Sequence, residues 1–342
     1  MKLVRFTVRS GETAPVFGAM VGDRVAGFAS LAEASGHEGT LLADSRDYLR
    51  NLPASEAQAR TIADWAEANA GTLADSILLP LPAVTLHTPV EVASLFDFGL
   101  TPRHLASSVR TWRRYEDGNP ETEALIRIFE ERVKRPRTPP AGQLERLPHY
   151  KCNMNSIVGD GVDIPWPSYT EYLDVEPELA VVYGNNKQPI AGYCIFNDVS
   201  ARDVQPPELG KGFFLAKDMA CGNQLGPCLV TSDELANPFD LSVTVRVNGQ
   251  QRFTGTTAEI SRDARAVMAT LDSVAPLLPG SVMGFGTIPD CTGLDNGDFL
   301  APGDRVEITI DRIGTLRCRL LTPASRVEPS RWAARPELDP YR

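Results

Sequence analysis

The sequences EYLDVEPELAVVYG, at residues 171–184, and AGYCIFNDVSARDVQ, at residues 191–205, decide the fold of this chain. Each contains an apolar run of strand-forming residues, and turn residues from Gly184 to Gln188 separate the two runs. Two apolar strands joined by a short turn are typical of an antiparallel hairpin. Such a hairpin would place Asp198, at the end of the second run, beside the start of the first.

Acidic residues are concentrated at that end of the predicted hairpin. Asp174, Glu176 and Glu178 are spaced two apart, and side chains two apart on a strand share one face. Asp198 would join them, and burying like charges without a positive partner is costly. The pattern therefore indicates a hard divalent cation. The alternative is an edge strand with a solvated acidic face, which Pro177 favours because it removes a ladder donor.

The rest of the chain predicts an α+β protein that is predominantly β. Short β-branched segments recur from about residue 150 onward, and Asn248-Gly249 is typical of a type I′ hairpin turn. Residues 261–277 have helical spacing, with Ser261 as the expected N-cap. Asp203 and Arg202, after the second apolar run, are open to interpretation as a local ion pair or helix cap.

The N-terminal part combines short strands with helices. Alternating apolar residues around a turn at Gly22-Asp23 predict antiparallel strands, and residues 41–75 have helical spacing interrupted at Pro53. A Pro-punctuated linker follows. We therefore predict a small domain over residues 1–82 and a larger one over residues 83–342.

Two helices are predicted early in the larger domain. Residues 103–134 have apolar residues at helical spacing, and Gly118-Asn119-Pro120 interrupts the run. A Pro-rich loop is expected over residues 135–142.

Composition excludes several classes of protein. The 342 residues carry a formal net charge of −10 without a strong basic stripe, which makes nucleic acid a poor partner. No apolar run approaches the roughly 20 residues of a membrane helix, and the N-terminus does not resemble a signal peptide. The six cysteines are scattered without a CxxC pair, which is typical of reduced thiols. We expect a cytoplasmic location.

Four histidines limit the choice of a general base. His37, His87 and His149 fall in predicted loops, whereas His104 precedes a helix, seven residues after Asp97. A lone histidine at a helix start is more often structural, so the residues alone leave the role of His104 open.

Taken together, the motifs resemble those of the fumarylacetoacetate hydrolase family across about residues 85–325. The resemblance rests on EPELAVVYG (176–184), AGYCIFNDVSARDVQ (191–205), Lys217 nine residues before Gly226-Pro227, FGT (285–287) and FLAPGDRVEITI (299–310). It implies the family's mixed β-roll or β-sandwich catalytic domain after a small N-terminal β-plus-helix domain. It also implies a homodimer.

The resemblance assigns roles to individual positions of this chain. It implies a divalent cation, Mg²⁺ or Mn²⁺ with Ca²⁺ as a further option, on Asp97, Glu176, Glu178 and Asp198. His104 and Lys217 are the implied catalytic residues, with Lys211 as a competitor for the lysine position. The implied substrate contacts are Arg113, Tyr150, Gln205 and Thr287.

The implied activity is hydrolysis of a carbon–carbon bond in a ketonic substrate. The substrate would be a 1,3-dicarbonyl acid, similar to fumarylacetoacetate or an acylpyruvate, of the kind formed in aromatic compound catabolism. His104 would activate water, Lys217 would help to hold the oxyanion, and a metal-bound enolate would leave. The alternative is a lyase or isomerase of the same family, such as an oxaloacetate-type decarboxylase, a hydratase or a tautomerase.

Departures from the family pattern leave the substrate open. Gly99 stands where a substrate-contacting tyrosine is expected, and the segments DMACGNQLGP (218–227) and GTIPDCTG (286–293) are unusual. The glutamate that would orient His104 has no clear counterpart, and Glu208, Glu116 and Glu121 are candidates.

Overall fold

The computed structural model describes residues 1–342 except 10, 12–13, 117–118, 135–146, 148, 209–211, 331 and 333–342. It is an α+β fold in which strands outnumber helices. The predicted loop at 135–142 and Lys211 lie outside the described residues. None of the helices within these ranges is long and apolar enough to cross a membrane.

The strands are β1 Lys2–Val8, β2 Val16–Val21, β3 Arg24–Gly27, β4 Leu79–Pro80, β5 Val84–Leu86, β6 Ser94–Phe98, β7 His149–Lys151, β8 Ile157–Val158, β9 Val162–Ile164, β10 Leu173–Asp174, β11 Pro177–Tyr183, β12 Ile190–Asp198, β13 Ser200–Ala201, β14 Asn223–Thr231, β15 Ser242–Val247, β16 Gln250–Thr256, β17 Ser281–Thr287, β18 Arg305–Ile310 and β19 Gly314–Leu320. The α-helices are α1 Phe28–Ser35, α2 Ser45–Arg50, α3 Ala54–Ala68, α4 Pro102–Glu116, α5 Pro120–Lys134, α6 Gln205–Glu208, α7 Ala264–Asp272 and α8 Gly293–Asn296.

Two large sheets organise the fold. The main sheet has the strand order β4-β3-β2-β1-β14-β12-β11-β17-β6-β7, with β5 added beside β1 and β8 beside β14. The second sheet has the order β16-β15-β18-β19-β9, and β10 and β13 form a separate pair. The N-terminal strands therefore continue the same sheet as the central hairpin, joined where Lys2 pairs with Val230. The boundary at residue 82 stays a prediction.

The predicted hairpin lies at the centre of the main sheet. Strands β11 and β12 pair antiparallel, with Glu178 opposite Phe196. Strand β11 is also paired with β17, so it is an interior strand, and the edge-strand interpretation of its acidic face is wrong. Every residue of both hairpin strands is buried.

Cores on both sides of the hairpin explain this burial. Leu179 and Ile195 belong to the core that includes the second sheet, whereas Val182 and Phe196 belong to a core that includes residues of α1–α3. Strands covered on both faces need continuous rather than alternating apolar sequence, as the two quoted runs have.

Several local predictions are tested by these elements. The turn at Asn248-Gly249 has φ values of 52° and 81°, as a type I′ turn requires. Helices α4 and α5 are separate, as predicted. The predicted helix at 261–277 is shorter, because α7 begins at Ala264 with Asp263 as its N-cap, while Ser261 bonds instead to the carbonyl of Leu100.

Gly284 in β17 shows how closely the sheet packs against the site. A Cβ atom at this position would lie 2.5 Å from Glu178 Oε2 and 2.7 Å from Phe196 Cδ1. We expect Gly284→Ala to lower the free energy of unfolding by about 1–3 kcal/mol, the range typical of overpacking. Chemical denaturation measures this, with Gly71→Ala as the control because an added Cβ there meets nothing within 4 Å. Equal midpoints for the two variants would contradict the close packing at Gly284.

A carboxylate-lined candidate active site

A cavity of about 340 Å³ opens where β6, β11 and β17 meet α4. It gathers most of the residues that the sequence suggested for a site. The predicted residues that line it are Asp97, His104, Tyr150, Glu176, Glu178, Gln205, Lys217 and Thr287. Asp198 is fully buried and bonds to two of these lining residues, Lys217 and Tyr150.

Asp97, Glu176 and Asp198 form a compact acidic triad. One carboxylate oxygen from each lies within 4.8 Å of the others. They come from β6, from the residue before β11 and from the end of β12, so the sheet pairing brings them together. Within the described residues, Asp97 Oδ1 and Asp198 Oδ1 are buried and accept no hydrogen bond. Orphaned hard oxygens at this spacing fit a divalent cation such as Mg²⁺ or Mn²⁺.

Glu178 faces the same cavity but is anchored to β17. Its Oε2 accepts a hydrogen bond of 2.9 Å from the Gly286 amide, and its Oε1 lies 3.4 Å from Thr287 Oγ1. Burial, together with the charges of Asp97 and Asp198, raises the pKa of Glu178 well above its usual range. Glu178 is thus beside the triad rather than one of its three members.

Lys217 is a cation that contacts two members of the triad. Its Nζ lies 2.5 Å from Glu176 Oε2 and 2.6 Å from Ser200 Oγ, and it also bonds to Asp198. Burial alone would lower the pKa of Lys217, but Asp198 and Glu176 raise it above its usual value, so the side chain stays charged.

Asp174 does not share the cavity-facing side with Glu176, contrary to the sequence prediction. Its Oδ2 accepts 2.9 Å hydrogen bonds from Arg202 Nε and from the amide of Leu294, and its Oδ1 accepts one of 2.9 Å from the amide of Gly293. The periodicity fails because Glu176 lies in the irregular segment between β10 and β11.

Arg202 links Asp174 to the triad. It also bonds to Glu176, and its Nη1 lies 3.2 Å from Gln205 Oε1. The predicted ion pair between Arg202 and Asp203 is therefore wrong. Asp203 accepts hydrogen bonds from Thr170 Oγ1 and the Glu171 amide instead.

The charges around the triad do not balance. The triad and its neighbours Asp174 and Glu178 make five buried carboxylates, against Arg202 and Lys217 as the buried cations of the described residues that contact them. Burial and neighbouring carboxylates raise the pKa of Asp198 well above its usual range, although Lys217 opposes this. Burial would also raise the pKa of Glu176, but Arg202 and Lys217 hold it below its usual value. The site is short of positive charge, which a divalent cation would supply.

His104 is held by an aspartate that the sequence analysis missed. Its Nδ1 lies 2.8 Å from Asp295 Oδ1, and the Asp295 side chain is fully buried. Since a carboxylate only accepts, Nδ1 carries the proton and Nε2 is unprotonated, with Ser108 Oγ 3.4 Å away, so Nε2 is the nitrogen that can act as a base. His104 Nε2 lies 3.8 Å from Glu176 Oε1, so its basic nitrogen faces the triad.

Asp295 is positioned by the unusual GTIPDCTG segment. Its Oδ2 accepts a 2.8 Å hydrogen bond from the Asp290 amide, and Asp290 has a positive φ of 64°. Its own amide donates to Thr292 Oγ1, the N-cap of α8. Thr292 followed three residues later by an acidic residue is a helix-start signal that could have identified this segment.

Two of the three glutamates proposed to orient His104 have other partners. Glu208 accepts hydrogen bonds from the amides of Phe214, Leu215 and Ala216. Glu116 bonds to Trp332 Nε1, and the side chain of Glu121 is outside the described residues.

Arg113 does not reach the cavity. Its Nη1 lies 3.0 Å from Glu130 Oε1 and its Nε 3.8 Å from Glu123 Oε1, so it pairs with α5. His149, expected in a loop, is in β7 and lines the cavity, with its ring centroid 5.0 Å from that of Phe98.

The sequence matches the family model described as fumarylacetoacetate (FAA) hydrolase C-terminal over residues 128–321. This is more than half of the chain, which therefore belongs to the fumarylacetoacetate hydrolase family. Among curated proteins it is similar to an uncharacterized protein of Staphylococcus aureus strain USA300, at 32% identity over 185 residues. The match covers 51% of this chain and 61% of the length of that relative.

Solved structures share the fold. A fumarylacetoacetate hydrolase from Exiguobacterium antarcticum has a TM-score of 0.61 at 21% identity, covering 94% of this chain and 99% of that one. A maleylpyruvate hydrolase from Sphingobium sp. SYK-6, in complex with manganese(II) and pyruvate, has a TM-score of 0.61 at 20% identity. The match covers 94% of this chain and 100% of that one. A 5-carboxymethyl-2-hydroxymuconate delta-isomerase from Mycobacterium smegmatis has a TM-score of 0.60 at 23% identity. The match covers 94% of this chain and 99% of that one. Likeness at these identities establishes the fold alone.

Removing one triad oxygen donor should weaken metal binding. We expect Asp198→Asn to reduce Mn²⁺ affinity at least about tenfold, since even outer-shell changes cost this much. Isothermal titration calorimetry of the metal-stripped protein measures it. The exposed Asp23→Asn is the control and should bind as the wild type does. Unchanged affinity in Asp198→Asn would contradict a metal centre at the triad.

Proposed function

We propose that the protein is a metal-dependent hydrolase that cleaves a carbon–carbon bond in a 1,3-dicarbonyl acid similar to fumarylacetoacetate or an acylpyruvate. The observation that carries the proposal is the His104–Asp295 pair, in which the unprotonated Nε2 of His104 faces the acidic triad. A base held in one tautomer beside a cation site is suited to activating water.

Asp97, Glu176 and Asp198 would hold the cation, with Glu178 beside them. Mg²⁺ or Mn²⁺ suits such an oxygen-donor set, and a similar fold is known with manganese(II) and pyruvate bound. A bound divalent cation would act as a Lewis acid and as a template for the adjacent oxygens of the substrate.

His104 would take a proton from water through Nε2, and hydroxide would add to the distal carbonyl carbon. General base catalysis of this kind typically contributes about 10²–10⁴-fold. Asp295 would stabilise the imidazolium that forms. The carbon–carbon bond then breaks, its electron pair leaves as an enolate, and the imidazolium returns the proton to give a carboxylic acid and a ketone.

Lys217 would stabilise the developing oxyanion through its charge. The ammonium group of Lys217 has three donors, and Glu176, Asp198 and Ser200 occupy all three. Lys217 would therefore act on the oxyanion through the electric field of its fixed charge rather than through a direct hydrogen bond. Tyr150, Gln205 and Thr287 line the cavity and would contact the substrate.

A lyase or isomerase is the alternative function. One similar structure is named as an isomerase, and the same base could remove a proton from carbon instead of from water. Hydrolysis is favoured over decarboxylation because decarboxylation needs no attacking water, whereas Asp295 holds His104 as a base beside the triad.

Assays on a panel of acylpyruvates and on oxaloacetate, each with Mn²⁺ or Mg²⁺, separate these functions. We expect acylpyruvates to give pyruvate and a second acid. Release of CO₂ from oxaloacetate alone, or isomerisation without cleavage, would favour the alternative.

His104→Ala should lower kcat by about 10²–10⁴-fold, because it removes the proposed base. Asp295→Asn should also lower kcat substantially, because an amide can stabilise the wrong tautomer. Mn²⁺ affinity should stay within about twofold in both variants. Near-normal turnover in His104→Ala would exclude the histidine as the base.

Arg113→Ala should leave KM within about twofold of the wild-type value, because Arg113 pairs with Glu123 and Glu130 outside the cavity. Steady-state kinetics on the best acylpyruvate measures this. A large rise in KM would show instead that Arg113 reaches the substrate, as the family resemblance implies.

A further inference from the structure

One face of α4 packs into a largely aromatic cluster, and Leu105, its first member on the helix, also lines the cavity. Leu105, Val109, Trp112 and Tyr115 are three or four residues apart and form one stripe along the helix. The stripe begins one residue after His104. Its packing therefore sets the place of the helix that carries the proposed base.

Trp332 belongs to this cluster and has no exposed surface. Its ring stacks on that of Tyr115, with a centroid distance of 4.6 Å and an interplanar angle of 27°. It also contacts the edge of Tyr172 at 5.0 Å and lies 6.0 Å from Phe299. Aromatic contacts of this kind are specific in geometry as well as in apolar area.

Polar contacts fix the orientation of the Trp332 ring. Its indole N–H donates to Glu116 Oε1, at the C-terminal end of α4. Glu116 Oε2 accepts hydrogen bonds from Thr122 Oγ1 at 3.1 Å and Asn119 Nδ2 at 3.2 Å. Two residues before Trp332, the backbone amide of Ser330 donates a 2.9 Å hydrogen bond to Glu171 Oε2, which fixes the backbone at that point.

The other members of the cluster lead to the remaining parts of the site. Leu294 precedes Asp295, and its carbonyl accepts a 2.6 Å hydrogen bond from Thr111 on α4. The carbonyl of Tyr172 accepts a 2.8 Å hydrogen bond from the backbone amide of Arg202. The side chain of Arg202 bonds in turn to Glu176. The cluster thus joins the elements that carry His104, Asp295 and the triad.

We propose that Trp332 is a positioning residue for the His104–Asp295 pair. It does not line the cavity. By filling the space between α4, Tyr172 and Phe299 it sets the place of α4 against α8, and so keeps His104 Nδ1 within hydrogen-bonding distance of Asp295 Oδ1. The kinetic consequence rests on the proposed function, whereas the effect on this hydrogen bond does not.

The test compares Trp332→Ala, Trp332→Phe and Phe28→Ala with the wild type. Phe28 is a fully buried ring in the core that includes residues of α1–α3 and contains no residue of α4, so Phe28→Ala controls for loss of stability. Nitrogen NMR of the histidine side chains follows the tautomer of His104, assigned from the spectrum of His104→Ala. Kinetics on the best acylpyruvate and Mn²⁺ calorimetry complete the set.

We expect Trp332→Ala to lose the signature of the Nδ1–Asp295 hydrogen bond and to lower kcat at least tenfold, with Mn²⁺ affinity within twofold. Trp332→Phe keeps an aromatic ring, so it should retain most of the hydrogen-bond signature and most of the wild-type kcat. Phe28→Ala should keep the His104 signature and kcat despite its lower Tm. If Trp332→Ala does not fold, Trp332→Leu takes its place with the same expectations.

A wild-type His104 spectrum in the folded alanine or leucine variant would overturn the proposal. The same spectral change in Phe28→Ala would overturn it too, because general destabilisation would then explain the effect. If the wild type cleaves no dicarbonyl, the proposed function fails, and the NMR comparison still decides the role of Trp332.

Discussion

The rest of the structure depends on a surplus of negative charge held in the interior of the protein. Several carboxylates lie together where β6, β11 and β12 meet, and among the residues that the structure describes Arg202 and Lys217 are the cations that contact them directly. Such a cluster is stable only if its oxygens are hydrogen-bonded, paired or bound to a metal. Arg202 bonds to both Asp174 and Glu176, and Asp174 also accepts hydrogen bonds from two backbone amides. These contacts satisfy part of the cluster's hydrogen-bonding capacity.

Much of this arrangement could be predicted from the sequence, because it is local. The hairpin of β11 and β12 follows from two apolar runs and a turn, and its register brings Asp198 beside Glu176. The two-residue period holds only within an uninterrupted strand, however. It failed at Asp174 because the backbone is irregular between β10 and β11.

Contacts between distant parts of the chain could not be predicted in the same way. Asp295 is 191 residues from His104, and no periodicity connects them. Arg113 has the spacing that the family resemblance requires, but α5 offers it two glutamates, and a nearby ion pair competes with a role in the cavity. In both cases the tertiary packing of helices, which one sequence does not specify, decided the outcome.

The parallel pairing of β6 with β17 has a consequence for how the protein folds. Ser94 and Ser281, whose hydroxyl groups are 2.9 Å apart in these neighbouring strands, are separated by 187 residues. Closing so long a loop costs entropy before its contacts form, and such pairings are intrinsically slow. Asp97 reaches the acidic triad only through β6, so the triad cannot be complete until this long-range pairing has formed. The capacity to bind a metal ion would thus mark a late stage of folding, after the local hairpin is in place.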